Sequence, residues 1–157
     1  MATTVTSSTL RVHINEKIKL NGEQFGGETV LSIPSINEVS KRIVTAQTTE
    51  RQILVFDTAA IGPGKFVQAD VRYVRITNLD DTNHVTLTFK NHNDDEFAVK
   101  LDHGQSHIYN PDLAGGTVAT IDAIDGTGLT LSLGNLVDIT ALADTAACDL
   151  EVFVASA

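Results

Sequence analysis

Four of the five histidines, His84, His92, His103 and His107, fall in the central part of the chain beside the carboxylates Glu96 and Asp102. Imidazole and carboxylate are the donors of a transition-metal centre, which needs three or more of them converging on one face. The spacing works against convergence. His84 shares parity with the polar Thr86 and Thr88, and His92 sits among turn formers. His103 and His107, four apart, fall on the same face of a strand at roughly 13 Å from each other. They read as solvated or interfacial histidines, and a metal-dependent jelly-roll enzyme is the catalytic alternative they leave open.

The acidic clusters Asp80-Asp81 and Asp94-Asp95-Glu96 offer hard oxygens of the kind Ca²⁺ takes, without the spaced ligand loop of a dedicated calcium site. Aspartate and asparagine at such places form turns, because they tolerate left-handed backbone. Asp122 with Asp125 gives a carboxylate pair of the sort glycoside hydrolysis uses, a pairing that an acidic chain produces readily. Asp125-Gly126-Thr127-Gly128 departs from the aspartic-protease order of Asp, Thr or Ser, then Gly, and reads as a tight hairpin before Leu129. Gly-x-Ser-x-Gly is absent. The single Cys148 precedes Leu150, Val152 and Val154 on a final strand and reads as a small buried apolar residue. These residues lead to an expectation of no enzyme, no cofactor and no metal.

The elements that carry these residues are strands. Val74 to Leu79, His84 to Lys90 and Glu96 to Asp102 alternate apolar and polar side chains, which leave a strand on opposite faces. Val85, Leu87 and Phe89 point one way and Phe97, Val99 and Leu101 repeat the pattern, so the runs joined by Asn91 to Asp95 predict an antiparallel hairpin. Leu10 to Ile14 and Lys17 to Leu20 are short β pieces before a glycine-marked loop over 21–27. Thr29 to Ile33 is a strand that Pro34 stops. Ser35 to Glu38 matches a capping box, which allows one helical turn before a strand running to Gln47. Ile53 to Phe56, four apolar residues in a row, predicts a central strand covered on both faces. Thr58 to Asp70 reads as a long connection around Gly62-Pro63-Gly64. Thr117 to Ile121, Leu129 to Leu133, Val137 to Leu142 and Leu150 to Val154 complete the strands.

Ten or more short strands at intervals of about 8 to 12 residues predict an all-β, antiparallel sandwich, with a jelly roll among the arrangements allowed. No stretch has the period and length of a crossover helix, so an α/β fold is excluded. A length of 157 residues suits one domain, read as residues 10–157, preceded by a Thr/Ser-rich arm over residues 1–9 that is disordered or ordered by a neighbour.

With 20 acidic against 11 basic residues, the formal charge of −9 repels phosphate backbones and argues against direct nucleic-acid binding. The opening residues lack the basic and apolar features of a signal peptide, and no segment is long and apolar enough to span a bilayer. The expectation is a protein made in a cytoplasm with no membrane partner. Aromatic residues make up only 5% of the chain and Trp is absent, which weighs against stacking on sugars.

Val71 to Asn83, followed by the alternating strands and Leu101-Asp102-His103-Gly104-Gln105-Ser106, resembles small β-rich virion proteins of marine and cyanobacterial tailed bacteriophages. The likeness extends upstream through Ile36-Asn37-Glu38-Val39. The resemblance implies a capsid decoration or cement protein, or another structural position in head, neck or tail. Its partners would be the major capsid protein or other virion proteins, and its location the virion after synthesis in the host cytoplasm. Copies would form a homo-oligomer, a trimer first and a dimer second. Candidate interface residues are Thr3, Thr4, Val5 and Thr6 of the arm, Phe25, and Ile61 and Pro63 of the Gly62-Pro63-Gly64 loop. A receptor- or glycan-binding module is the competing binding function.

Overall fold

The computed structural model describes residues 4–59, 62–122 and 133–157. Among these residues the chain is all β. The first half holds β1 (Ser8–Asn15), β2 (Ile18–Leu20), β3 (Glu23–Phe25), β4 (Glu28–Ile36), β5 (Glu38–Ala46), β6 (Arg51–Asp57) and β7 (Lys65–Val67). The second holds β8 (Val71–Asn78), β9 (Val85–Asn91), β10 (Glu96–Leu101), β11 (Ser106–Tyr109), β12 (Leu136–Ala143) and β13 (Cys148–Ser156).

Two sheets, antiparallel except at the short β7, form a β-sandwich. One has the order β10-β9-β12-β6-β7 and the other β11-β8-β13-β5. The alternation that predicts the central hairpin also builds the core: Val85, Leu87 and Phe89 of β9 are fully buried, and β10 returns with Phe97 opposite Phe89. Ile76, Leu150, Val152 and Val154 face them from the second sheet and join the same cluster. The first alternating run, now β8, pairs with β11 and β13, so it lies in the sheet opposite the hairpin. Phe89 closes one side of the sandwich against His107 and Tyr109 of β11, with ring centroids 5.2 and 6.0 Å away. On the other side Phe56 meets Phe66 at 6.5 Å, and the Arg42 guanidinium of β5 donates to the Ile53 carbonyl of β6.

Several sequence expectations give way to longer-range geometry. The run Ile53 to Phe56 belongs to an internal strand between β12 and the short β7, one place from the sheet edge. A register shift between Ile139 and Thr140 of β12 leaves Ile53 without a partner there, which accounts for neighbouring Ile53 and Leu54 both being buried. The connection over 58–70 contains β7, which pairs with β6 in parallel. Thr117 to Ile121 is turns and bridges, because Gly116 and Ala119 take φ of 62° and 50° and break the extended run. Ser106 to Tyr109 is a strand that the alternation did not predict. Residues 129–132 of the expected strand Leu129 to Leu133, and the Asp125-Gly126-Thr127-Gly128 turn before it, lie outside the described residues.

The first 36 residues depart furthest from expectation. Pro34 does not stop its strand; β4 runs on to Ile36. Proline is accommodated because Pro34 and Ser35 together face the single residue Thr9, a bulge in which Ser35 takes φ 62°. That left-handed serine occupies the proposed helix cap, so the helical turn is replaced by a corner from β4 into β5. The loop over 21–27 holds β3, and Asn21 and Gly22 with φ of 51° and 89° make the two-residue turn of a β2–β3 hairpin. β1 begins at Ser8, inside the segment read as arm, and residues 4–7 have no regular structure. Together β1 to β4 form one two-stranded ribbon.

Candidate interaction surface

The ribbon is amphipathic at its root. Leu10 and Val12 of β1 share a face with Leu31 and Ile33 of β4, and Arg11, His13, Ser32 and Glu28 share the other. The apolar face packs on the outside of the second sheet, where Leu10, Val12, Leu31, Ile33 and Ile36 form a cluster with Tyr73, Ile108, Phe153 and Ala155. β8 is therefore covered on both sides, Val74 by the sandwich core and Tyr73 by the ribbon. On the polar face the His13 ring lies 2.6 Å from Glu28, a cross-strand pair open to solvent.

Beyond the root, the apolar pattern continues without a sheet beneath it. An open cleft of about 320 Å³ between ribbon and sheet is lined by residues 10–14 with Arg75, Ile108 and Phe153, and it marks where the two separate. In the tip hairpin Ile18 stands opposite Phe25, and Leu20 has the same parity as Ile18. These three side chains are 55%, 49% and 57% exposed in the order Ile18, Phe25, Leu20. An apolar cross-strand cluster on a projecting hairpin gains nothing from water; covering it is the favourable step.

The remaining interface candidates separate. Thr4, Val5 and Thr6 are exposed ahead of β1, while Thr3 and Ile61 lie outside the described residues. Pro63 is exposed, and the neighbouring Gly64 borders the Arg42 guanidinium of β5. Sequence reasoning named Phe25 and not Ile18 or Leu20, whose parity with it becomes visible once Asn21-Gly22 is recognised as a hairpin turn.

The candidate chemistry is dispersed. His103 lies in the turn before β11, so it shares no strand with His107. His84 sits 3.6 Å from Asp144, and His92 Nδ1 accepts from the Asn135 amide. Among the described residues no group of three or more His, Cys, Asp or Glu side chains is placed to hold a metal ion. Asp80 Oδ1 accepts from the amides of Thr82 and Asn83, which hold its carboxyl below the usual range and make it a turn cap. Asp94 takes φ 69°, again the turn role. Cys148 is buried, and desolvation pushes its thiol pKa up.

His107 packs against the Phe89 ring, and burial lowers its pKa from 6.5. The unfolded chain then binds the proton more readily, so stability falls as pH drops below 6.5 and levels off below the folded-state pKa. Urea midpoints at pH 7.5 and 5 should differ less for His107→Leu than for the parent, and equal differences would remove His107 from the acid response.

One polar cleft, of about 290 Å³, opens on the outer face of the first sheet over β12. Asp138 lies there, buried, with Oδ2 accepting from Gln52 and Oδ1 without a hydrogen-bond partner among the described residues. Comparison with known proteins gave no matching family model and no matching curated protein.

Proposed function

We propose that the chain is a non-enzymatic structural protein of a tailed-bacteriophage virion, a decoration or cement protein that binds and stabilises the capsid shell. The observation that carries this reading is the ribbon tip, a projecting hairpin whose apolar face stays half exposed. An enzyme gathers polar groups in a concavity, whereas an adhesive protein sets apolar groups where another surface covers them. The tip is of the second kind. The resemblance of the central segment to phage virion proteins supplies the setting and the partner, the major capsid protein or another virion protein. A position in the neck or tail would use the same tip. A charge of −9 keeps many copies apart in the host cytoplasm before assembly and disfavours DNA as the partner.

Asn15 and Glu28 face each other in the ladder, so Glu16 to Gly27 can be replaced by Asn-Gly to close the root with a two-residue turn. The shortened protein should keep its β circular-dichroism spectrum while its affinity for capsid shells, read by cosedimentation, falls roughly a hundredfold or more, the worth of covering the exposed halves of three side chains of this size. Undiminished shell binding would sink the tip's role. Glycan binding is the second reading, favoured by the unpartnered Asp138 Oδ1 in the polar cleft. Specific binding on a glycan array, lost in Asp138→Ala and kept without the tip, would put it first.

A further inference from the structure

We infer that copies of this chain dock head to tail, the ribbon tip of one seating on the outer face of β5 in the next. This rests on the reading of the chain as an assembly-forming structural protein and names the tip's partner as a second copy, so that the tip serves shell affinity through the multivalency of the ring. The acceptor is visible on the sandwich. Among the described residues β5 is an edge strand paired only with β13, and its outward Val39 and Ile43 are 57% and 64% exposed. Between them Lys41 is held by Glu151 at 3.1 Å, which keeps that cation off the apolar pair.

Three observations select a copy of the same chain as occupant. The face in question already binds this ribbon in cis: the root covers Phe153 and Ala155 of β13, the strand next to β5, and Tyr73 of β8 beyond it, so an incoming tip would continue an apolar contact that exists. The root's own contacts run over β13, β8 and β11, which carries the tip away from its own β5. Charge supplies the third. Residues 1–36 hold three basic side chains, Arg11, Lys17 and Lys19, and three acidic ones, Glu16, Glu23 and Glu28, so the entire formal charge of −9 resides in residues 37–157. Two bodies repel, while a neutral ribbon approaches a body without that penalty. The free edge of β5 adds unpaired backbone groups for the incoming hairpin.

Tip and β5 are different patches, so the contact is heterologous and closes into a ring when its rotation allows. That gives a test with a distinctive signature. Ile18→Asp/Phe25→Asp removes the donor and Val39→Asp/Ile43→Asp the acceptor, all at exposed positions, with circular dichroism confirming the fold. In size-exclusion chromatography with light scattering, the full-length parent should be a closed oligomer and each variant a monomer. An equimolar mixture of the two variants should form a dimer, because one intact tip and one intact β5 remain. In a mixture of Phe25→Cys and Ile43→Cys, oxidation should join those two residues between chains, Cys148 being buried.

A tip variant that is monomeric beside an acceptor variant that still oligomerises would mean tip-to-tip contact and overturn the inference. So would a parent that is monomeric up to its solubility limit. A monomeric parent that still coats shells would leave the proposed function standing, whereas a ring that ignores every shell would overturn that function and leave the head-to-tail contact intact.

Discussion

Phe89→Ala should cost about 3–5 kcal/mol, the range for deleting a fully buried aromatic ring. Phe89 is completely buried, stacks on Phe97 at 4.8 Å with the rings 3° from parallel, and meets His107 and Tyr109 from the facing sheet. Its removal takes away the shared partner of three rings and opens a void between the two sheets at the β10–β11 side. A domain of this size has about 5–15 kcal/mol in all, so the variant should unfold at a markedly lower denaturant midpoint with an unchanged m-value. A loss below about 1 kcal/mol would show that the sheets collapse into the space and that the ring is not what holds this side together. Phe89→Leu should recover much of the loss, since it keeps the apolar volume near the sheet.

Asn78→Leu should cost about 2–4 kcal/mol, although it replaces a polar side chain by an apolar one of similar size in a buried site. The reason is what Asn78 satisfies. Its Nδ2 donates to the carbonyls of Asn83 and Leu101 at 2.9 and 3.2 Å, and its Oδ1 accepts from the Asp80 amide at 3.0 Å. Three chain segments meet on one side chain: the turn that carries the chain between the sheets, the end of β10, and β8 itself. Leucine leaves their backbone groups unpaired, a penalty that apolar burial does not offset. Hydrogen exchange should accelerate first at Asp80 and its neighbours in that turn. Unchanged protection there would mean that water or a shifted backbone takes over the three bonds.

The hairpin β9–β10 and the final strand β13 were legible because their pattern depends on near neighbours: parity along a strand sets which side chain meets the core. Partner choice was not. β8 alternates as cleanly as β9 yet lies in the opposite sheet, since nothing in a strand's own residues states which edge it will join. Proline at position 34 is a stop signal in a continuous ladder and is tolerated where two residues face one, a fact set by β1, twenty-odd residues away. β7 was hidden for a similar reason, its three residues being a strand only because β6 is beside them. Of the candidate interaction surface, Phe25 was legible as an apolar residue in a turn-rich segment. Ile18 and Leu20 lay in a short β piece with nothing to set them apart, and their exposure follows from the finite width of the sheet under the ribbon.

The ribbon's length has a consequence for crowding on a lattice. From Asn15 to the Asn21-Gly22 turn the hairpin reaches at most roughly 25 Å past its seat, at about 3.3 Å per residue. Ionic screening at physiological strength acts over only about 8 Å. In the proposed assembly, anionic sandwiches joined through such a spacer would stand up to about three screening lengths apart, so a densely populated array would tolerate its own electrostatics. Shortening the spacer would make occupancy depend steeply on salt.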